Sequence, residues 1–218
     1  MKQGGFPLIL IPLLTSAMAL GEETGRWNLG GNLGIANGET GAEDLTAQLI
    51  DRGLDARASS SDDSRFAWQL RLGYVFTPGW GMEIGYVDLG DVETTFTGSA
   101  LDIDAFLSSS SDIHPNTADG FLLSGVYRHP LGRIPQLEAV VRAGAFIWSS
   151  EYDLNGATGS LRVDENGTDL SFGLGLSLGL DRLDSLPPGM GAHLEWQRFD
   201  LDDEWIDMFN LGISYGFR

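Results

Sequence analysis

Alternation of apolar and small or polar positions is the dominant pattern in this chain. It is clearest in residues 170–180, LSFGLGLSLGL, where Leu or Phe holds every even position and Gly or Ser every odd one. A period of two over such a length predicts a β-strand with one apolar face and one small, mildly polar face. The length also suits a tilted strand that crosses a bilayer, which needs about 9–11 residues. The stretch is therefore predicted to be a membrane-spanning strand with its leucines on lipid.

The same alternation recurs along the chain and predicts eight strands. We place them at residues 27–35, 65–76, 82 to about 96, 120–128, 136–148, 170–180, 190–197 and 209–217. The polar stretches between them predict long loops at 38–64, 98–119 and 149–167, with one or two helical turns at 45–50 and a short acidic loop at 200–204. Short Pro and Gly turns fill the other connections. This layout predicts an all-β fold, an eight-stranded antiparallel up-and-down transmembrane β-barrel.

The charged residues argue against a soluble eight-stranded barrel or sandwich. Arg71, Glu83, Glu138, Arg142 and Glu195 all lie on the strand face opposite to the apolar one. A soluble barrel packs its apolar face inside, which would leave the large Leu and aromatic side chains in a lumen too small for them. The reverse orientation puts the charges in the core, where burial without partners is costly. A lipid-facing exterior resolves the conflict.

Composition narrows the function further. The formal net charge is −18, and Lys2 is the only lysine, so clustered cations for phosphate binding are lacking and nucleic acid is not an expected partner. The chain has no Cys, which excludes a disulfide framework, a thiolate metal site and a bacterial lipid anchor on Cys. Its 30 glycines suit strands with crowded small faces.

The N-terminus has the features of a secretory signal peptide. Lys2 is followed by a short apolar run at 6–14, and Ala17-Met18-Ala19 matches the small-x-small cleavage pattern. We expect cleavage after Ala19, a signal segment at 1–19 and a barrel domain at 20–218. The apolar run is far shorter than the about 20 residues of a membrane-spanning helix.

Four segments resemble the matching strands of the outer membrane protein A transmembrane-barrel family. They are MEIGYVDLG at 82–90, RAGAFIW at 142–148, LEWQ at 194–197 and LGISYGF at 211–217. The resemblance covers residues 26–218 and leaves out the periplasmic peptidoglycan-binding domain of the longer members. It implies export through the periplasm to the outer membrane of a Gram-negative bacterium, and a monomer in contact with outer-membrane lipid and lipopolysaccharide. It also implies that Tyr215 and Phe217 belong to the terminal signal read by the outer-membrane assembly machinery.

The resemblance further implies a network of charged pairs inside the barrel. Glu83 matches an acid of that network, but its other members fall near Val126, Ser177 and His193. By strand parity a substitute network is available, and we predict that it consists of Arg71, Glu83, Glu138, Arg142, His193 and Glu195. The small face of residues 170–180 is interpreted as room for these side chains.

Three functions fit these observations. We favour a structural or interaction barrel that displays acidic extracellular loops and whose lumen is closed by interior polar and charged side chains. The alternatives are a narrow gated pore for ions or small solutes, and a lipid-modifying enzyme that uses His193 with Ser177 or Ser214. We expect no catalytic activity, no cofactor and no metal site. The acidic groups at 62–63, 102–104 and 200–204 lack calcium-loop spacing and are expected to be solvated.

Overall fold

The alternating residues form β-strands in the computed structural model. It describes residues 25–38, 50, 56–60, 64–90, 94–98, 118–132, 134, 136–156, 159–183, 185–201 and 204–218. The strands are β1 (Arg26–Gly38), β2 (Ala56–Ser60), β3 (Ser64–Thr77), β4 (Trp80–Asp88), β5 (Thr94–Gly98), β6 (Asp119–Pro130), β7 (Leu137–Gly156), β8 (Gly159–Gly179), β9 (Met190–Leu201) and β10 (Glu204–Phe217).

Eight of these strands close into an antiparallel barrel in the order β1-β10-β9-β8-β7-β6-β4-β3, with β1 also paired to β3. The predicted fold class is thereby confirmed. The register can be followed once around the wall from Arg26 through Val75, Gly81, Val126, Arg142, Gly173, Gln197 and Met208 to Ala36. The path returns to β1 ten residues further on (36 − 26), and such a stagger tilts the strands by roughly 35–45°.

The outer face of the barrel is apolar. Leu33, Leu174 and Leu211 are each more than half exposed, and aromatic side chains cluster near the ends of the strands. Near the β3–β4 turn, Trp27 packs on Tyr74 with ring centroids 4.9 Å apart. An apolar band between aromatic girdles is the outer surface expected of a barrel in lipid. No helix in the described part of the chain is long and apolar enough to cross a membrane.

The predicted loop at 149–167 is wrong. The β7–β8 ladder continues without a break to Gly156 and Gly159. The ladders to the other neighbours stop earlier, at Ser149 on the β6 side and at Ser171 on the β9 side. The segment is thus a hairpin that extends beyond the barrel. A strand outside lipid does not need an apolar face, so the alternating pattern that marked the other strands is missing here.

The third predicted strand, from 82 to about 96, is two strands. β4 ends at Asp88, and Gly90 adopts a φ of +78° where an added Cβ would lie 2.3 Å from the Phe66 carbonyl oxygen. A side chain is therefore excluded at this bend. Beyond it, β5 leaves the barrel and pairs with β2 in a separate two-stranded sheet.

Two other loop predictions change in extent. β2 lies inside the predicted loop at 38–64, where Ile50 is helical and 45–49 lie outside the described residues. The predicted loop at 200–204 is shorter, because β9 runs to Leu201 and pairs with Glu204. The barrel thus has a short-turn end, with the connections at 78–79, 131–136 and 180–189, and an opposite long-loop end.

Candidate functional site

The large charged side chains of the lumen are placed opposite glycine on neighbouring strands. Arg71 lies opposite Gly30 and Gly85, and Glu195 lies opposite Gly175. A Cβ added to Gly175 would be 2.5 Å from Cγ of Glu195, and one added to Gly30 would be 3.0 Å from Nε of Arg71. The small face of residues 170–180 therefore provides part of the space that the charges occupy.

Four charged side chains meet across the lumen and form what we call the charged ring: Arg71 of β3, Glu83 of β4, Arg142 of β7 and Glu195 of β9. None is more than 4% exposed. Arg142 donates from Nη1 to Glu83 (2.5 Å) and from Nη2 to Glu195 (2.9 Å). Arg71 donates from Nη1 to both oxygens of Glu195 (3.1 and 2.9 Å), and its Nε lies 4.0 Å from Glu83.

The ring alternates in charge around a closed cycle. Each carboxylate accepts hydrogen bonds from a guanidinium on another wall of the barrel, so the four strands are linked through the centre as well as through their backbones. Hydrogen bonds between ionised groups are short and strong, and a low local dielectric strengthens them further. The arrangement offsets the cost of burying four charges.

Arg128 is a member of this cluster that the sequence prediction missed. Its Nη2 donates to Glu83 at 2.6 Å, and its side chain is 19% exposed. The signal was present in the sequence, because Tyr127 shares the parity of Phe121 and Leu123 on the apolar face, and its neighbour must point the other way.

The structure separates two predicted residues from the ring. Glu138 is half-buried at the short-turn end, and no ion pair joins it to any other described residue. His193 is buried, and its Nδ1 lies 3.3 Å from Oγ of Ser177. Its Nε2 has no hydrogen-bond partner among the described residues. The predicted network thus comprises a four-membered ring, an adjacent histidine and an acid at the mouth.

A layer of amide side chains adjoins the ring on its long-loop side. Asn32 donates to Asn210, and Gln69 and Gln197 are almost completely buried. Oε1 of Gln69 and both polar atoms of the Gln197 side chain lack a hydrogen-bond partner in the described part of the chain. Buried water is the usual partner of such groups.

Beyond the amides most side chains of the lumen are apolar, with Arg65 and the Trp148-bound carboxylate of Asp169 among them. Twelve buried residues form one cluster there: Ala36, Ala67, Val87, Leu89, Ala118, Leu122, Phe146, Trp148, Phe199, Leu201, Ile206 and Met208. The rings of Phe146 and Phe199, from the two strands that flank β8, lie 5.0 Å apart inside the lumen. On the long-loop side, Nε of Arg65 donates to the Leu89 carbonyl at 2.6 Å. The sequence prediction did not include this layer.

The surroundings of the ring bear on the predicted lipid-modifying enzyme. For hydrolysis, His193 and Ser177 are in contact, but Glu195 accepts its hydrogen bonds from Arg71 and Arg142. A serine–histidine mechanism needs an acid that orients the imidazole, and no such contact to His193 occurs among the described residues.

The other predicted site residues lie elsewhere. Tyr215 and Phe217 face outward near the short-turn end, with ring centroids 6.2 Å apart. The predicted cleavage position after Ala19 lies outside the described residues, and so do most of the acidic residues at 62–63, 102–104 and 200–204.

Comparison with known proteins places the fold. A family model described as outer membrane protein beta-barrel domain matches residues 6–217. Neisserial surface protein A is similar in structure, with a TM-score of 0.50 at 11% identity over 89% of this chain and 100% of that chain. The outer membrane protein OprG of Pseudomonas aeruginosa has a TM-score of 0.50 at 12% identity over 91% of this chain and 98% of that chain. The N-terminal β-barrel domain of OprF from the same organism has a TM-score of 0.49 at 12% identity, over 88% and 97%. Among curated protein sequences, none matches this chain.

Proposed function

Because the chain belongs to the outer membrane protein beta-barrel domain family, we propose that it is a structural and interaction barrel of the bacterial outer membrane with a closed lumen. Its short-turn end faces the periplasm and its long-loop end faces the exterior, as in other outer-membrane barrels. The loops at that end carry much of the acidic charge of the chain, and they are the part available to external partners.

The observation that carries this proposal is the charged ring. A conducting barrel needs a continuous aqueous path, and eight strands leave a lumen only wide enough for side chains. Here four buried charged side chains are hydrogen-bonded to one another across that lumen. Moving one of them aside would leave its partner charged and unpaired in a low-dielectric interior.

Planar-bilayer recording tests this proposal against a narrow gated pore. We expect purified, refolded protein to insert into lipid without producing single-channel steps. Insertion is checked independently by the heat-dependent change in gel mobility that folded barrels show. Channel steps from folded wild-type protein, absent in a protein-free control, would overturn the closed-lumen proposal and support the pore.

Location and export need their own measurement. We expect the protein to be recovered in outer-membrane fractions with Leu20 as its first residue, since the signal segment is proposed to end at Ala19. Recovery in the soluble periplasm would contradict the proposed location. A different first residue would contradict only the cleavage site.

The contact between His193 and Ser177 is the basis for a test of lipid-modifying activity. We expect no turnover of phospholipid or lipopolysaccharide by the folded protein. Turnover that is lost in both His193→Ala and Ser177→Ala, while the gel-mobility shift is retained, would instead establish an enzyme.

A further inference from the structure

The polarity of the barrel wall reverses along its axis. At the level of the charged ring, β4 directs Glu83 into the lumen and exposes 51% of Ile84 on the outside. Further toward the long-loop end the same strand leads into fully buried Val87 and Leu89, with Asp88 between them on the outer face. The first arrangement suits lipid outside and polar groups inside, whereas the second is that of a soluble barrel.

The same reversal occurs in β10 on another part of the wall. Asn210 is buried in the lumen, and the adjacent Leu211 is 65% exposed. Closer to the long-loop end, Ile206 and Met208 are fully buried, and Asp207 between them is partly exposed. Two strands that do not pair with each other therefore change from polar inside to apolar inside toward the same end of the barrel.

Aromatic donors mark the level of the change on the outer face. Three of them bind aspartate carboxylates: Trp68 binds Asp88 (3.0 Å), Tyr86 binds Asp119, and Trp196 binds Asp207 (3.2 Å). Trp and Tyr concentrate at membrane–water interfaces, and carboxylates are unfavourable in hydrocarbon. The outer boundary of the hydrocarbon therefore lies near this level, and the apolar layer of the lumen lies at or above it.

We propose that six large side chains of this layer, Leu89, Leu122, Phe146, Phe199, Ile206 and Met208, form an apolar lid that closes the lumen independently of the charged ring. All six are at most 2% exposed, and they come from β6, β7, β9, β10 and the end of β4. Water leaves narrow apolar constrictions, so these six side chains block ions by dewetting. The charged groups nearby are held in contacts of their own: Arg65 donates to the Leu89 carbonyl, and Asp169 accepts from Trp148. This inference rests on the proposed closed lumen and adds a second barrier to it.

The test separates the two barriers by substitution. The ring variant Glu83→Ala/Arg142→Ala removes one cation and one anion and leaves Arg71 paired with Glu195 at 2.9 Å. The lid variant Phe146→Ala/Phe199→Ala removes the two facing rings. A combined variant carries all four changes. The matched control adds Phe121→Ala/Phe209→Ala to the ring variant, because these phenylalanines are 56% and 57% exposed on the outer face.

Single-channel recording in planar bilayers, on protein verified as folded by gel mobility, compares the variants. We expect no steps from the ring variant, the lid variant or the matched control, and steps only from the combined variant. Steps from the ring variant alone would overturn the lid and leave the closed wild-type lumen intact. Steps from the wild type would overturn the proposed function itself. Silence from a folded combined variant would also overturn the lid as the second of two barriers.

A milder substitution covers the case in which the combined variant fails to fold. Phe199→Ala alone, placed in the ring variant, leaves Phe146 in position and removes only one of the two facing rings. We expect this variant to give channel steps at lower frequency than the full combination. Phe199→Ala with the charged ring intact is expected to give no steps. Steps from Phe199→Ala with an intact ring would show that the ring is not a barrier.

Discussion

At the residue scale, Glu195 connects the two arginines of the charged ring. It accepts hydrogen bonds from Arg71 and from Arg142, which lie on β3 and β7. Glu83 contacts the same two arginines, but its closest approach to Arg71 is 4.0 Å. The loss of Glu195 therefore leaves Arg71 without a close carboxylate.

We predict that Glu195→Ala destabilises the folded barrel by about 3–5 kcal/mol, because it leaves the buried guanidinium of Arg71 without a close carboxylate. Urea titration of the gel-mobility shift in lipid or detergent measures the change. Glu138→Ala is the matched control: this acid also points into the lumen but is half-buried and outside the ring, so a change within about 0.5 kcal/mol is expected. Equal losses in the two variants would contradict the central place given to Glu195.

The glycines that lie opposite the ring make a second prediction. In Gly175→Ala the new Cβ would lie 2.5 Å from Cγ of Glu195 and 2.7 Å from the Leu194 carbonyl oxygen. Since the backbone must shift, we expect a loss of about 1–3 kcal/mol in the same titration. Gly125→Ala is the control, because its nearest neighbour, the Ala143 carbonyl oxygen, is 3.9 Å away. A harmless Gly175→Ala would show that the ring is not tightly packed against β8.

At the element scale, the β7–β8 hairpin consists of two parts with different neighbours. Up to Ser149 and from Ser171 its strands are flanked by β6 and β9, whereas the rest is paired only within the hairpin among the described residues. The outer part therefore contributes no ladder to the barrel wall.

We predict that the outer part can be removed without loss of the barrel. Replacing residues 153–162 by Asn-Gly would join Tyr152 to Val163, which face each other in the ladder, through a two-residue turn. We expect the gel-mobility shift to be retained. The free energy of unfolding from its urea titration should stay within about 0.5 kcal/mol of wild type, because distant surface changes have small effects. A barrel that fails to refold after this deletion would show that the extension takes part in assembly.

At the scale of the whole molecule, the two levels of the wall should respond differently to a charge on the outside. Leu211 and Phe66 are matched in exposure, at 65% and 63%. Leu211 is opposite Leu194, the neighbour of Glu195 in the ring, whereas Phe66 adjoins Ala67 of the apolar layer. The first therefore faces the middle of the bilayer and the second its outer boundary.

We predict that Leu211→Arg costs about 2–4 kcal/mol and Phe66→Arg at most about 1 kcal/mol, because the cost of a cation on the lipid face depends on depth. Folding titrations in lipid vesicles measure both. If the two variants lose the same stability, the hydrocarbon boundary does not lie where the aromatic–aspartate pairs place it. We expect a smaller difference between the stability losses of the two variants in detergent than in vesicles.

Much of the fold was predictable because lipid imposes a strict rule on strands. Successive residues in 170–180 point alternately to lipid and to the crowded interior, so a period of two persists. The hairpin beyond Ser149 escaped prediction because no lipid contacts it. Inside the lumen, parity indicated that Arg71, Glu83, Arg142 and Glu195 point inward. Parity carries no information about the position of a side chain along the barrel axis.

The sequence by itself determined the number of barrel strands, the all-β class and the inward direction of the four charges of the ring, because side chains alternate locally along a strand. Only the tertiary structure decided which charges meet, since the stagger of the strands brings Arg71 and Arg142 to the level of Glu195 and leaves Glu138 at the mouth. It also decided that the wall reverses polarity. Phe146 shares the inward face of Arg142 by parity, but only the closed barrel shows that this face is packed into an apolar cluster at the level of Phe146.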